Sequence, residues 1–283
     1  VLVSGDEEYR SEEALPMLGQ ILSAHHGFRT TVLFAIDPDT GKIDPEVQTN
    51  IPGLQHLESA DMMILFTRFR ELPDDQMKFI VDYTNSGKPV MGLRTATHAF
   101  KYERNLDSPY AKYDCQSVDF DGGYGRQVLG ETWINHHGHH GKESALGVIN
   151  GLYEDHPVLK GVADVWAPSD VYGVKKLVGD NLQILMNGQV LVGMESSDRP
   201  KINKSTMPLV WLKNYTGETG NTCRVFNTTM GASVDLCSEG LRRLLVNGCY
   251  WCLDMEDQIP ERSNVDYIND YKPTMFGFGT FQR

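Results

Sequence analysis

The first hundred residues repeat one pattern three times: a short apolar run, a polar or glycine-containing loop, and a segment with helical spacing. That rhythm predicts a parallel sheet with crossover helices. The apolar runs fall at 1–4, 31–36 and 62–67, and a fourth at 89–93 follows a helix predicted over 73–85. Pro73 suits the first turn of that helix, Asp74 and Asp75 favour its positive end, Met77, Ile80 and Val81 share a face, and Gly87 can end it. Another helix, carrying Leu15, Leu18 and Leu22, is expected after Gly5; Ser11, Glu12 and Glu13 resemble its start, and Pro16 falls one turn later than ideal.

Between 101 and 142 the periodicity fails, and Tyr, Asp, Gly and His dominate. An irregular stretch of that length is usually functional or disordered, and its aromatics favour function. Apolar runs return at 182–186, 190–194, 208–212 and 224–228, close enough together to predict mixed or antiparallel additions to the sheet. A helix over 239–253 closes the domain. The remainder is rich in Tyr, Phe, Pro and Gly without either period, which predicts a tail wrapping the surface, pinned by Phe276, Phe278 and Phe281. With no longer repeat and no Ser/Gly linker, the expected organisation is one α/β domain over 1–253 and an aromatic-rich C-terminal tail over 254–283.

Composition narrows the classes. Of 283 residues, 40% are apolar and 23% charged, which excludes a wholly disordered, collagen-like or coiled-coil chain. No run approaches the roughly 18 apolar residues of a membrane helix. Lys and Arg number 26 against 38 Asp and Glu, a net charge of −12 that disfavours nucleic acid and points to a small-molecule ligand. Five cysteines are too sparse for a disulfide scaffold, and Cys249 and Cys252, at the end of an apolar helix, read as a core-facing pair. Val1 already sits inside an apolar run, so a longer native chain is expected, and the compartment, cytoplasmic or exported, stays open.

In an open parallel sheet, ligands bind beyond the carboxyl ends of the strands. Three such ends are unusually polar: 5–13 (GDEEYRSEE), 67–70 (TRFR) and 92–98 (GLRTATH). They bring Arg10, Arg68, Arg70 and Arg94 to one edge. Their guanidinium forks suit carboxylate, phosphate or vicinal hydroxyls; alternatively each pairs with Asp6, Glu7 or Glu8 in a structural network. The turn at 89–98 resembles a nucleophile elbow, but its apex is Arg94, which cannot attack a carbonyl, and Thr95 is a weak nucleophile without an adjacent base. His98 either faces the same pocket or bonds to backbone. At 136–140 four histidines occupy five positions, open to three readings: catalytic or substrate-binding His139 or His140, a metal site, or a solvated loop. Asp170 and Tyr172 lie in a turn-like segment that offers local reasons for both.

Taken in order, several segments resemble the ThuA-like family, named for trehalose utilisation and related to class I glutamine amidotransferase-like domains. They are the opening strand at 1–5, the elbow 92–98, the His-Pro to Gly-Val segment from His156 to Val162, the pair Asp170 and Tyr172, the Pro-Leu-Val-Trp at 208–211, and the RVFNTTMG run at 224–231. The resemblance covers most of the chain to about Trp251 and implies a flavodoxin-like three-layer α/β sandwich, with a mainly parallel central sheet and helices on both faces. It also implies a role in carbohydrate metabolism without glutaminase activity, because Arg94 stands where amidotransferase-like domains carry cysteine. Where the family often has a later histidine this chain reads Gly231-Ala232-Ser233, which leaves His139, His140 or His98 to supply one.

The expectation is therefore a sugar-active enzyme, of hydrolase or isomerase type, acting on a glycoside or modified sugar. His139, His140, His98 and Asp170 would move protons, and Asp6, Glu8, Tyr9, Arg10, Arg68, Arg70, Arg94, Thr95 and Tyr172 would hold the substrate. The alternatives are a non-catalytic sugar- or anion-binding module and a metal-dependent hydrolase using the 136–140 histidines. No cofactor is required by the sequence; a divalent metal and a homo-oligomer stay open.

Overall fold

The computed structural model describes residues 1–279 and residue 281. In chain order its regular elements are β1 (Leu2–Gly5), α1 (Ser11–His26), β2 (Val32–Phe34), β3 (Met63–Thr67), α2 (Asp74–Asn85), β4 (Val90–Leu93), β5 (Ala145–Ile149), β6 (Trp166–Ala167), β7 (Asp180–Val190), β8 (Met207–Thr216), β9 (Thr222–Thr228) and α3 (Glu239–Cys252). The strands form a nine-stranded sheet in the order β2-β1-β3-β4-β9-β8-β7-β5-β6. In the first half β1 pairs in parallel with β2 and β3, β3 with β4, and β4 with β9. This is the parallel half the repeating pattern predicts, except that the crossover from β2 to β3 carries only a short 3-10 turn, Leu54–Ser59, in place of the expected helix.

The expectation of a mainly parallel sheet is corrected by the other half, where β9 pairs antiparallel with β8, β8 with β7, β7 with β5, and β5 with β6. A parallel pairing needs a crossover of a dozen or more residues, and the link from β8 to β9 is only the short turn over 217–221. The run at 190–194 forms no strand of its own: Val190 ends β7, and the backbone then turns so that Val192 N donates to Arg199 O at 3.1 Å. The strands β5 and β6 lie outside every run picked out above.

Alternation along the parallel strands gives the sheet two apolar faces. Leu2, Ile64, Phe66, Met91 and Phe226 pack with Leu15, Leu18 and Leu22 of α1 and Leu241, Leu244 and Leu245 of α3. Val3, Met63, Leu65, Val90 and Val225 face the other way, toward Met77, Ile80 and Val81 of α2. Helices thus cover both faces of the parallel half. The five cysteines are free thiols; Cys249 and Cys252 are buried in the first core, and burial pushes the Cys249 thiol up to about 12. Among the described residues no helix is long and apolar enough to cross a membrane.

The loop over 101–142 folds back onto the elbow that follows β4. Gly125 opens a short helical turn, Gly125–Leu129, and a Cβ there would collide with the Thr97 carbonyl oxygen, a backbone atom that cannot swing aside. Gly125→Ala is therefore expected to cost about 2 kcal/mol or more of stability by chemical denaturation, as overpacking against backbone does.

Candidate functional site

The polar residues after β1 fold into a tight turn organised by Asp6. Its Oδ1 accepts the backbone N–H groups of Glu8 at 2.7 Å and Tyr9 at 2.6 Å, while Oδ2 accepts the Thr95 hydroxyl. Asp6 is fully buried, so it shapes the turn and does not face solvent. The next residue, Glu7, receives both Arg68 and Arg70. Arg70 is also fully buried and donates to the carbonyls of Pro45 at 2.8 Å and Val47 at 2.9 Å. Arg10 is buried at the start of α1 and donates to Gly277 O at 2.8 Å. Of the four arginines the sequence brings to this edge, Arg68 alone retains an accessible side chain, at 16% exposure, beside Glu7 and Glu8.

Arg94 occupies the elbow with φ 43°, a left-handed conformation that costs a bulky residue on the order of 1 kcal/mol and persists only where the surroundings impose it. They do so here. Its Nη1 donates to Asp170 O at 2.6 Å and Thr229 O at 2.7 Å, and its Nη2 to Asp170 Oδ1 at 2.8 Å and the Tyr9 hydroxyl at 3.2 Å. The guanidinium carbon lies 3.7 Å from the Tyr172 ring centre and 4.6 Å from that of Tyr9. With no exposed surface, Arg94 presents no donor to solvent; its Nη atoms are bonded to protein, and its buried Nε has no hydrogen-bond partner.

Asp170 links this buried cation to the histidine loop. Residues 136 and 172 form an isolated antiparallel bridge, which brings His136 Nδ1 to 2.9 Å from Asp170 Oδ2. His140 Nδ1 lies 3.3 Å from Asp170 Oδ1 and 3.4 Å from the Tyr9 hydroxyl, and its Nε2 lies 3.4 Å from Glu8 Oε1. One imidazole thus has a carboxylate at each nitrogen. Burial would raise the Asp170 carboxyl, but Arg94, with His136 and His140, holds it well below the usual carboxylate range. Glu8 goes the other way: its burial raises it, and Arg68 only partly offsets that. Two carboxylates displaced in opposite directions across one histidine can divide acid and anion roles between them.

Among the expected proton-movers, His140 and Asp170 come together, joined by Glu8 and Tyr9. His98 does not join them: it packs among Phe69, Trp133 and Tyr172 with Nδ1 3.2 Å from Thr97 Oγ1, and burial drives its pKa far down, so it stays neutral. His139 is exposed, and its hydrogen bond to Glu143 comes from its backbone. Thr95 is spent on Asp6, and Tyr172 lies buried against Arg94. His136, expected only as one of the possible metal-binding histidines at 136–140, contacts Asp170 and stacks 4.8 Å from His140. Its i, i+4 spacing from His140 was the available signal.

Glu12, beside this cluster, carries a testable liability. Both its carboxylate oxygens are buried without a hydrogen-bond partner, Arg10 Nη1 lies 3.5 Å away, and burial pushes its carboxyl up to about 7. A carboxyl raised on folding stabilises the protein fully below its unfolded pKa of about 4.5, and that contribution is lost as pH rises through about 7. Glu12→Gln is accordingly expected to raise stability on the order of 2 kcal/mol at pH 8, and to match the parent below pH 4 in thermal melts.

A cavity of about 510 Å³ lies elsewhere, at the amino ends of β1 and β3, where Val1, Leu22, Phe28, His56 and Cys249 line it. It holds neither Asp170 nor any histidine of the 136–140 loop. The cluster at the carboxyl ends is the better candidate, because charge, burial and imidazole geometry converge there.

No family model matches the chain, and no curated protein matches it in sequence. Solved structures do match its fold, two of them with a TM-score above 0.5 among those compared. One, described as ThuA-like, is from Parabacteroides merdae: 19% identical, TM-score 0.55, covering 98% of this chain and 95% of its own. The other, also described as ThuA-like, is from Bacteroides uniformis: 14% identical, TM-score 0.53, covering 89% of each chain. The chain therefore shares its fold with ThuA-like proteins over nearly its whole length.

Proposed function

We propose that the protein is a ThuA-like enzyme that moves protons on a neutral sugar, a glycoside or modified pyranose, at the site made by Glu8, Tyr9, His136, His140 and Asp170. On this reading the parallel half, in its β2-β1-β3-β4-β9 order, is the flavodoxin-like part, and the site lies beyond its strand ends. The single observation that carries the proposal is His140 set between Asp170 and Glu8, 3.3 Å from one and 3.4 Å from the other. Asp170 stays ionised and orients the imidazole, as the carboxylate of a catalytic triad does. Glu8, the carboxyl that holds its proton longer, gives it to a sugar oxygen, and His140 takes up or returns the proton. Hydrolysis and isomerisation can both use such a proton transfer.

The same geometry argues for a neutral ligand. Arg10, Arg70 and Arg94 are buried and hydrogen-bonded to protein, and Arg68 is paired with Glu7 and Glu8. A ligand then meets carboxylates and imidazoles; both accept from hydroxyls, and the carboxylates repel an added carboxylate. A thermal-shift series with methyl gluco-, galacto- and mannopyranosides beside D-glucuronate tests this. The expected result is a saturable rise with at least one neutral pyranoside, absent in Glu8→Ala, and none with glucuronate. A rise with glucuronate alone would reverse the argument.

A second reading rests on one observation: ligand atoms of His136, His140 and Asp170 all lie within 4.8 Å of one another, two imidazoles and a carboxylate, a donor set that suits zinc. Arg94, 2.8 Å from Asp170, opposes it by adding positive charge. Stoichiometric metal by elemental analysis, lost in His136→Ala, would favour this reading; activity insensitive to chelator would favour the first.

A further inference from the structure

Three consecutive residues of the C-terminal tail touch three different parts of the candidate site. Phe276, 9% exposed, packs with its ring centre 5.1 Å from that of His140 and 5.3 Å from that of Tyr9. Gly277 donates its N–H to Glu8 O at 2.8 Å and accepts Arg10 Nη2 at 2.8 Å, so the strap is hydrogen-bonded to the turn that carries Glu8 and Tyr9. Phe278 lies over the Arg68 guanidinium at 4.9 Å, while Phe69 lies over the same group at 4.5 Å. Upstream, Thr274 is fastened to Glu13 by two hydrogen bonds, 2.7 Å from its backbone N–H and 2.6 Å from its hydroxyl.

These contacts have different consequences for the two phenylalanines. His140 is held by His136 at 4.8 Å, by Phe276 at 5.1 Å and edge-on by Tyr9 at 6.0 Å, and together these rings fix the plane in which its nitrogens reach Asp170 and Glu8. Phe278 is 58% exposed, a large apolar ring left in water directly beside a cluster of carboxylates and a cation. Phe69, which also contacts Arg68, is a bulky residue held at φ 49°, a strained backbone of the kind that gathers at ligand sites. An exposed aromatic face next to groups that accept from hydroxyls matches a pyranose, which is apolar on one face and hydroxylated at its rim.

We propose that tail residues 276–278 are a wall of the ligand site: Phe276 is a positioning residue for His140, and Phe278 stacks on the apolar face of a pyranose ring whose hydroxyls reach Glu8. This rests on the sugar reading above. The test compares the full chain with Phe278→Ala, Phe278→Tyr and Phe276→Leu, using the neutral methyl pyranosides in calorimetry and the pH dependence of turnover. Phe278→Ala is expected to weaken binding about tenfold with an unchanged unfolding midpoint, while Phe278→Tyr, which keeps the ring, binds within about twofold of the parent. Phe276→Leu is expected to keep the affinity within about threefold and to shift the pH profile by about half a unit or more, because His140 is no longer held in plane. If the parent binds a pyranoside and Phe278→Ala binds it equally well, the stacking role is wrong while the sugar reading stands. If Phe276→Leu leaves the pH profile in place, the positioning role is wrong. A parent that binds no pyranoside overturns the sugar reading and the stacking role together.

Discussion

Arg94→Met is expected to destabilise the protein by about 3–5 kcal/mol at neutral pH, more than any other single change in the cluster, because it removes the cation that neutralises a buried carboxylate. Asp170 is 1% exposed, and among the described residues its only full positive partner within salt-bridge distance, apart from histidines that must be protonated to serve, is Arg94 Nη2 at 2.8 Å. The substitution also strands the Asp170 and Thr229 carbonyls that Arg94 Nη1 bridges, and it empties the space between Tyr9 and Tyr172. The pH dependence identifies the cause. A carboxyl held low on folding contributes stability that is present above its unfolded pKa, near 4, and is lost as pH falls through the folded value. The deficit of Arg94→Met should therefore be largest above pH 5 and shrink toward pH 3, where Asp170 can take a proton in the variant. Denaturant titrations at pH 7 and pH 3 read this directly, and Asp170→Asn added to Arg94→Met should recover part of the loss. A deficit equal at both pH values would mean that Arg94 matters only as packing.

His140→Asn is the second large effect, and it concerns chemistry. Asn approximates the Nδ1 position toward Asp170 but has nothing to reach Glu8, so the relay between the two carboxylates is cut while the fold is kept. Turnover on the responding sugar should fall at least about a hundredfold, the usual scale of a lost general acid or base, with affinity changed less than about threefold. Steady-state kinetics beside direct binding separates the two. A protein with no turnover to lose, yet with a sugar-dependent thermal shift, would be a binding module on the same site.

The parallel half of the fold was legible because β1, β3 and β9 are buried apolar runs followed by α1, α2 and α3, with start and stop signals such as Pro73, Asp74 and Gly87 around α2. The antiparallel half was less so. The run Ala145-Leu146-Gly147-Val148-Ile149 is as apolar as β4, but it comes just after the aperiodic loop over 101–142, and β6 is two residues long. No spacing rule reports a strand of that length. The arginines were visible as a cluster, but residue type alone does not separate an arginine aimed at a ligand from one aimed at Glu7; that depends on the Asx-type turn at Asp6, which directs Glu7 toward Arg68 and Arg70. His140 stood out by composition. His136 became meaningful only through the bridge to Tyr172, and Phe276 through a tail that returns across more than 260 residues to the first turn of the chain.

The central claim is the location of the site, at the carboxyl ends of the parallel strands and not in the cavity at their amino ends. The nine histidines offer a direct reading, because His136 and His140 belong to the first place and His56 lines the second. Two-dimensional proton–carbon spectra of the histidine rings, recorded while a neutral methyl pyranoside is titrated in, should show His136 and His140 shifting saturably together and His56 unmoved. Movement of His56 with His136 and His140 still would contradict the account and place the ligand at the opposite end of the sheet.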